Sequence, residues 1–403
     1  MEESFIFDGI RTPFGRYGGV LARLRPDDMA AMTISELVNR HPAIREEIED
    51  VILGDSNQAG EDSRNIGRNA ALIAGLPVEV SGITLNRLCG SGLAAAVQAS
   101  NSIKCKEGEL FVAGGVESMT RAPLVMAKAE HAFQRTAPIA DSTIGWRFPN
   151  ASLITKYGAE GMPETAENIA RHLQISREAS DQYAYETQMR YEAARKDGFY
   201  AGEIMAVTVP AASRKQVPLE IHEDEHPRPD TSLEKLKKLR SLHKDGIVTA
   251  GNASGVNDGA AALLVGNASA AERFDLKPMV RILSSAVAGV EPGLMGLGPV
   301  PASIKALERT GLSLDDMDLI EINEAFAVQV LGCMKKLNLS TDDKRINPNG
   351  GAIAIGHPLG ASGARLLLTA SRELRRREGK YALVTLCIGI GQGIATIIEN
   401  TDR

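Results

Sequence analysis

The sequence predicts an α/β fold of two similar halves, and three observations carry that expectation. Short β-rich runs alternate with helical stretches in the first third of the chain and again in the last third. Such alternation implies a mostly parallel sheet covered on both faces. A weak internal repeat links the two regions. Cys89-Gly-Ser-Gly-Leu-Ala-Ala-Ala precedes Leu110-Phe-Val-Ala-Gly-Gly115, and Gly360-Ala-Ser-Gly-Ala-Arg-Leu-Leu precedes Ala382-Leu-Val-Thr-Leu-Cys387. A helix begun on small residues and followed by a strand, used twice, suggests duplication, although such a helix start also recurs by chance. The middle, from Ser118 to Thr249, is more charged and is broken by proline at Glu223-Asp-Glu-His-Pro-Arg-Pro-Asp230. It reads as an insertion lying over the two halves.

Taken in order, Phe5-Ile-Phe reads as a strand, and Pro26 opens a helix that runs to about Asn39. Val51-Ile-Leu is a strand, Ser63 to Ala74 a helix, and Gly82-Ile-Thr-Leu a buried strand. Gly90 to Ile103 is a long helix, and Leu110 to Gly115 a central strand ending in glycine. In the insertion, Pro163 to Leu173 and Arg177 to Asp197 have amphipathic helical patterns. Ala250 to Gly266 returns to small and apolar residues and rejoins the first half as a helix and a strand. The last third runs Val280 to Ala286 (strand), Pro301 to Thr310 (helix), Leu319 to Asn323 (strand), Glu324 to Leu337 (helix), Gly360 to Arg377 (helix) and Tyr381 to Cys387 (strand).

Bulk properties narrow the function. With 403 residues, 43% of them hydrophobic, the chain has a substantial core and room for two or three domains. The net charge of -6 is modest, and the run Arg375-Arg376-Arg377 reads as a solvated helix end. Nucleic acid and membrane surfaces are therefore poor partners. Cys89, Cys105, Cys333 and Cys387 form no zinc or disulfide spacing and suit free thiols in a reducing compartment. The amino-terminal residues show no export signal, and no apolar run reaches membrane-spanning length. The expected location is the cytoplasm.

Chemistry concentrates in glycine-rich runs. Cys89 stands just before a predicted helix, in Asn86-Arg-Leu-Cys89-Gly-Ser-Gly92. The unpaired N–H groups of a helix amino end stabilise a thiolate, so a lowered thiol pKa and a nucleophilic role are expected there. The competing reading is a buried structural cysteine. His357, between Gly356 and Pro358, suits a general base. Cys387 ends a predicted strand, where active residues of α/β sheets collect. The Gly389, Gly391 and Gly393 that follow are a weak dinucleotide signal, and an oxyanion site of backbone N–H groups is the preferred reading. Asn323 reads equally as a helix cap or as a group positioning a water or a carbonyl. Trp146 reads as a loop anchor, and Arg147 beside it could meet a carboxylate. Cys105 and Cys333 carry no assigned role. Two cysteines and one histidine in this setting suggest thioester chemistry, with one thiol carrying an acyl group and the other moving a proton.

Six motifs then resemble one family. Asn86 to Gly92, Gly114-Gly-Val-Glu-Ser-Met119, Thr249 to Gly259, Asn323-Glu-Ala-Phe-Ala327, Asn347 to Gly360 and Cys387 to Gly393 are similar to those of the thiolases, and the likeness runs from Arg11-Thr-Pro to the carboxyl end. The resemblance implies the thiolase fold. Two βαβαβαββ halves, each a five-stranded mixed sheet, stack as an α-β-α-β-α sandwich with an inserted loop domain that binds coenzyme A. The implied division is 1–118 with 250–271, a loop domain at 119–249, and 272–403. Homodimers or homotetramers are implied, with coenzyme A as a substrate and no metal or redox cofactor.

By the same resemblance, Cys89 matches the nucleophile, His357 its base, and Cys387 the acid/base at the α-carbon of acetyl-CoA. Asn323 matches the residue holding a water that, with the histidine, forms one oxyanion hole. The N–H groups of Cys89 and Gly389 match the other. Ser254 and Ala250 match pantetheine contacts, and Met162, Leu153, Ala325 and Phe326 match the tunnel lining. The chain departs from the pattern at Gly161, where some thiolases have histidine. The implied reaction is thiolytic cleavage of a 3-ketoacyl-CoA to acetyl-CoA and a shortened acyl-CoA, reversible as a Claisen condensation. General fatty-acid thiolases and acetoacetyl-CoA thiolases share nearly every motif. Asn57-Gln-Ala-Gly-Glu-Asp62, Asp141-Ser-Thr-Ile-Gly-Trp-Arg-Phe148 and Glu225-His-Pro-Arg-Pro-Asp230 look like the 3-oxoadipyl-CoA thiolases of aromatic degradation, while the Pro-Asn-Ala-Ser-Leu that follows Phe148 departs from them. Two rival readings are a decarboxylating condensing enzyme, which uses one cysteine with two histidines, and a non-catalytic relative, which lacks the nucleophile or the base.

Overall fold

The computed structural model describes every residue except Met1, Ala212 and Arg214. The first half runs β1 (Phe5–Arg11), α1 (Pro26–Arg40), β2 (Asp50–Gly54), α2 (Ile66–Ile73), β3 (Ser81–Leu85), α3 (Ser91–Lys104) and β4 (Leu110–Ser118). The insertion follows, with helices α4 (Ala151–Tyr157), α5 (Met162–Leu173) and α6 (Arg177–Lys196). β5 (Asn257–Gly266) then returns to the first sheet. The second half runs β6 (Val280–Gly289), α7 (Pro299–Thr310), β7 (Leu319–Ile322), α8 (Ala327–Lys336), α9 (Leu359–Arg376), β8 (Tyr381–Ile388) and β9 (Gln392–Asn400).

The strands form one ladder in the order β7-β8-β9-β6-β1-β5-β4-β2-β3, with the short strand Gly15–Arg16 pairing beside β5. It passes between the halves where Phe5 and Ile6 pair with Arg281 and Val280. The buried core sorts into the expected layers. One cluster fills the space between α1, α2 and the first sheet, a second surrounds α3 and α9 between the sheets, and a third lies between the second sheet and α7 and α8. The small-residue faces of α3 and α9, the two helices of the internal repeat, pack on each other in the central layer.

Several elements depart from the sequence reading. The sheet is mixed rather than mostly parallel. β2 pairs in parallel with β3 and β4, and β7 with β8, whereas β1, β5, β6 and β9 pair antiparallel with their neighbours. The reason is that no crossover helix of either half covers its last connection: β9 returns from β8 through a tight turn, and β5 returns beside β4 only after the insertion. β3 is not a buried strand: it is the sheet edge, and Ile83 is 41% exposed. α2 starts three residues later than expected, because Ser63 and Arg64 take left-handed φ values of 51° and 67°, and the Asn65 side chain caps the Arg68 N–H. No helix precedes β5; a turn at Thr249–Asn252 leads into it, and a short helix, Ala268–Arg273, follows it.

The third strand of the second half shrinks to a single bridge between Ile346 and Ile320. The Asn347 side chain replaces the missing ladder, accepting from Ile322 N–H and donating to Ile322 C=O, both at 2.8 Å. α8 begins at Ala327 rather than Glu324. The Glu324 carboxylate is drawn into the core instead, where it accepts from Tyr183, Thr187, Asn347 and the Ile353 N–H. The insertion is fastened to β1 by Arg11, whose buried guanidinium bonds Glu203 at 2.5 Å and Asp224 at 2.6 and 2.9 Å.

Where the halves meet, backbones touch. Gly54, Gly92, Gly115, Gly360 and Gly363 gather at the amino ends of α3 and α9, and a Cβ on any of them would fall within 3.0 Å of backbone atoms of a neighbouring segment. A methyl group there forces the helices apart, so Gly360→Ala is expected to cost about 3 kcal/mol in urea denaturation. At the exposed Gly289 a Cβ meets nothing closer than 3.8 Å, so Gly289→Ala should change stability by no more than about 0.5 kcal/mol. Equal effects of the two substitutions would show that the junction is not tightly packed.

Candidate active site

The carboxyl ends of β2 and β8 and the amino ends of α3 and α9 border a cavity of about 510 Å³. Cys89 and His357 both line it. Cys89 sits on a strained turn: Leu88 before it has a left-handed φ of 47°, a conformation that surrounding contacts must sustain. Those contacts are local. Asn86 Oδ1 accepts from Leu88 N–H at 2.9 Å, and Ser91 Oγ accepts from Arg87 N–H at 2.8 Å while donating to Leu88 C=O at 2.6 Å. Gly90 lies against Ile388 and Ile394, so the turn rests on the β8–β9 hairpin.

The expectation of a lowered Cys89 pKa is corrected. Burial pushes the thiol up to about 12, against two opposing backbone N–H groups, those of Gly389 and of Cys89 itself, and with a further upward push from Glu117. The sequence reading counted the helix end and could not see the burial, which dominates. Cys89 therefore rests as a neutral thiol, which would need a base to act as a nucleophile. The two N–H groups directed at its sulfur are the pair expected to form an oxyanion hole.

His357 supplies the basic nitrogen. Its main-chain N–H donates to Asn257 Oδ1 at 2.9 Å, and Asn257 is tied by its amide to Gly15 C=O at 2.9 Å. Ser362 Oγ donates to Pro358 C=O at 2.9 Å and lies 2.6 Å from His357 Nδ1, so it accepts the Nδ1 proton. That leaves Nε2 with a lone pair. Burial, with Arg365 adding to it, holds the imidazole down to about 3, so it is neutral at physiological pH. Asn323 is no helix cap. Its Nδ2 lies 3.4 Å from His357 Nε2, and its Oδ1 is buried without a protein partner, which leaves an acceptor free for a water.

Cys387 is buried beneath the cavity rather than in its wall, packed with Ala325, Phe326 and Met295. Burial raises its thiol well above the ordinary range, and a charge on Cys89 raises it further. Gly389, Ser254, Met162, Ala325 and Phe326 line the cavity. Ser254 N–H donates to Ala325 C=O at 2.9 Å, so these two segments form one piece of wall. Leu153 and Ala250 do not line it. Leu153 lies on α4, which reaches the cavity only through Tyr157 and Gly158 at its far end, and Ala250 is the exposed tip of a turn closed by Asn252. Gly161 stands in the lining where a histidine was the family alternative.

Sequence reasoning missed the groups that hold His357. Ser362 was visible only as part of a glycine-rich helix start, and Asn257 only as part of the Thr249–Gly259 motif. It also missed Glu117, whose buried carboxylate accepts from the N–H groups of Ser56, Asn57 and Gly360 at 2.9 to 3.2 Å and so joins the two halves beneath the nucleophile.

A thiol on a strained turn, a neutral imidazole and backbone donors at the sulfur, set at the seam of a duplicated α/β core, define an acyl-transferring enzyme. The sequence matches the thiolase N-terminal domain over residues 4–269 and the thiolase C-terminal domain over residues 276–400. It is 57% identical, over 99% of this chain and 100% of the relative, to the 3-oxoadipyl-CoA/3-oxo-5,6-dehydrosuberyl-CoA thiolase of Escherichia coli strain K12. It is 54% identical, with the same coverage, to a beta-ketoadipyl-CoA thiolase of Acinetobacter baylyi. The fold is similar to a crystal structure of human mitochondrial 3-ketoacyl-CoA thiolase in complex with CoA, with a TM-score of 0.90, 41% identity, and coverage of 99% of this chain and 98% of that one. The chain belongs to the thiolase family.

The neutral histidine has a consequence for stability. Its imidazole takes a proton near pH 6.5 when unfolded and near 3 when folded, so the unfolded chain binds the proton first as pH falls. The stability it contributes is whole above pH 6.5 and is lost on acidification towards about 3, at about 1.4 kcal/mol per pH unit. Between pH 6.5 and pH 5, His357→Gln is expected to lose about 2 kcal/mol less than the wild type in urea denaturation. Parallel losses would mean that the folded imidazole is solvated or charged.

Proposed function

We propose that this thiolase cleaves a 3-ketoacyl-CoA through a Cys89 acyl-enzyme. His357 Nε2 takes the Cys89 proton, and the sulfur attacks the 3-keto carbon. The bond between the α- and β-carbons breaks, and its electron pair goes to the acetyl-CoA enolate, which takes a proton from Cys387. Acetyl-CoA leaves. The incoming coenzyme A thiol gives its proton to the Cys387 thiolate, its sulfur displaces Cys89 from the acyl group, and Cys89 recovers its proton from His357. The N–H groups of Cys89 and Gly389 stabilise the oxyanion on the acyl carbon. A water held by Asn323, with His357, stabilises the enolate. The observation that carries this reading is the convergence of Cys89, His357 and Gly389 on one cavity, with the Cys387 thiol within charge–charge reach of Cys89.

In the same reading, residues 119–249 are a loop domain that binds coenzyme A, set between a first half at 1–118 with 250–271 and a second half at 272–403. Ser254, Met162, Ala325 and Phe326 flank the pantetheine. The substrate is a 3-oxoadipyl-CoA, and aromatic degradation is a better setting than general fatty-acid metabolism, supported by the ketoadipyl names of the relatives at 54–57% identity. A homo-oligomer, dimer or tetramer, forms through β3: this strand is a free sheet edge, and Ile83, Leu72 and Ile73 nearby are exposed. The four free thiols suit the cytoplasm.

Acyl transfer and carbon–carbon chemistry separate by mutation. Cys89→Ala is expected to abolish turnover and leave no acyl-enzyme in mass spectrometry of quenched reactions. Cys387→Ala is expected to acquire the acyl group from a simple acyl-CoA and yet cleave no 3-ketoacyl-CoA. Turnover retained by Cys89→Ala would refute the assignment of the nucleophile.

A further inference from the structure

We propose that Arg147 selects the acyl half of the substrate, its guanidinium receiving the terminal carboxylate of a dicarboxylic 3-oxoacyl-CoA. The inference rests on the thiolase reading above and adds to it a specificity residue.

The cavity lining is largely apolar or small, and apart from the neutral His357 and Cys89 its ionisable side chains of fixed charge are Glu160 and Arg147. Glu160 is engaged, accepting from the Asn168 amide at 2.6 Å. Arg147 is not. Among the described residues it has no carboxylate partner, and its one polar contact is Asn57 Oδ1 at 3.5 Å, the outer limit of a hydrogen bond. Arg121 and Arg25, by contrast, both bond Glu61. A planar guanidinium with five donors and one marginal contact, half-buried in an apolar cavity, lacks an anion of matching geometry, and carboxylates are bound that way in two parallel bonds.

The support beneath Arg147 is rigid. Asn57 is buried, and its amide donates to Ser142 C=O at 3.2 Å and Ser142 Oγ at 3.0 Å. Its main-chain N–H is held by Glu117 and Asp55, each at 3.2 Å. Ser142 Oγ in turn donates to Pro123 C=O. Phe148, next after Arg147, has a left-handed φ of 46°. The stretches Asn57–Asp62 and Asp141–Phe148, distant in the chain, are thus brought together on one wall.

That wall adjoins the nucleophile. Ser56 C=O accepts from Asn86 Nδ2 at 2.9 Å, and Asn86 opens the turn that carries Cys89. Arg147 is therefore tied to the acyl side of the cavity, whereas Ala253–Val256 and Ala325–Phe326 form the separate piece of wall proposed for pantetheine. An acyl group carried on Cys89 turns its far end towards one or the other, and only one of them offers a cation.

The test compares 3-oxoadipyl-CoA with 3-oxohexanoyl-CoA, which has the same chain length and a methyl group in place of the carboxylate, in the wild type, Arg147→Met and Arg147→Lys. The ratio of kcat/KM for the dicarboxylic substrate over the neutral one should fall about 100-fold in Arg147→Met, with Arg147→Lys in between and the KM for coenzyme A unchanged. An unchanged ratio in Arg147→Met, whether both activities persist or both fall together, overturns the proposal. So does a rise in the KM for coenzyme A with the ratio unaltered, which would make Arg147 a phosphate contact. A wild type active on 3-oxohexanoyl-CoA and inactive on 3-oxoadipyl-CoA also overturns it, while the thiolase reading survives. A wild type inactive on both, and on acetoacetyl-CoA, would instead refute the thiolase reading itself.

Discussion

Two helix amino ends, one from each half, meet backbone against backbone in the central layer, and the positions of Cys89 and His357 follow from that contact. Gly92 and Gly115 approach Gly360, and Gly363 approaches Leu93. A side chain at these positions would open a gap of ångströms, and the groups just ahead of the helices would separate by a similar distance. Cys89 precedes α3 by two residues and His357 precedes α9 by two. The Glu117 carboxylate crosses the same junction, holding Gly360 of one half and Ser56 and Asn57 of the other. Cys89, His357 and the wall that carries Arg147 are thus referred to one rigid point. Such placement on helix ends and strand ends is more exact than placement on free loops.

The electrostatic character of the site follows from the same packing. A dry junction cannot hold an isolated charge cheaply, so the histidine is neutral and both thiols are protonated. On Cys89, His357 and Cys387, charge arises only when a substrate is present to share it. What is built in beforehand is a set of oriented donors, the Cys89 and Gly389 N–H groups, and an unfilled acceptor on Asn323. Donors fixed before the reaction need no reorganisation when negative charge develops on a carbonyl oxygen, and in a low dielectric they act strongly.

Much of this was legible in the sequence, for identifiable reasons. Helix interiors and strand cores are set by local periodicity, so α1, α3, α6, α9 and most strands fall within a few residues of expectation. The helix starts that moved, α2 and α8, did so because a tertiary or capping contact won: Asn65 for the first, the burial of Glu324 for the second. The exposure of β3 was hidden, since an edge strand and a central strand share one composition. Cys89, His357 and Cys387 stood out because glycine crowds around them. Ser362 and Asn257 did not, because their partners lie five and one hundred residues away from them. The sign of the Cys89 shift was misread for a related reason: a helix end is visible in sequence, whereas burial is a property of the whole packed core. Ala250 and Leu153 rested on the resemblance alone, with no feature of their own, and the cavity leaves them out.

The protonated state of the buried sulfurs bears on the enzyme's life between turnovers. Peroxide and similar oxidants attack thiolates, not thiols, and need access to the sulfur. In an idle molecule Cys89 lines the cavity but is protonated, and Cys387 is protonated and buried beneath it. If Cys89 becomes a thiolate only during turnover, its susceptibility to oxidants rises with catalysis and is lowest in the enzyme waiting for substrate.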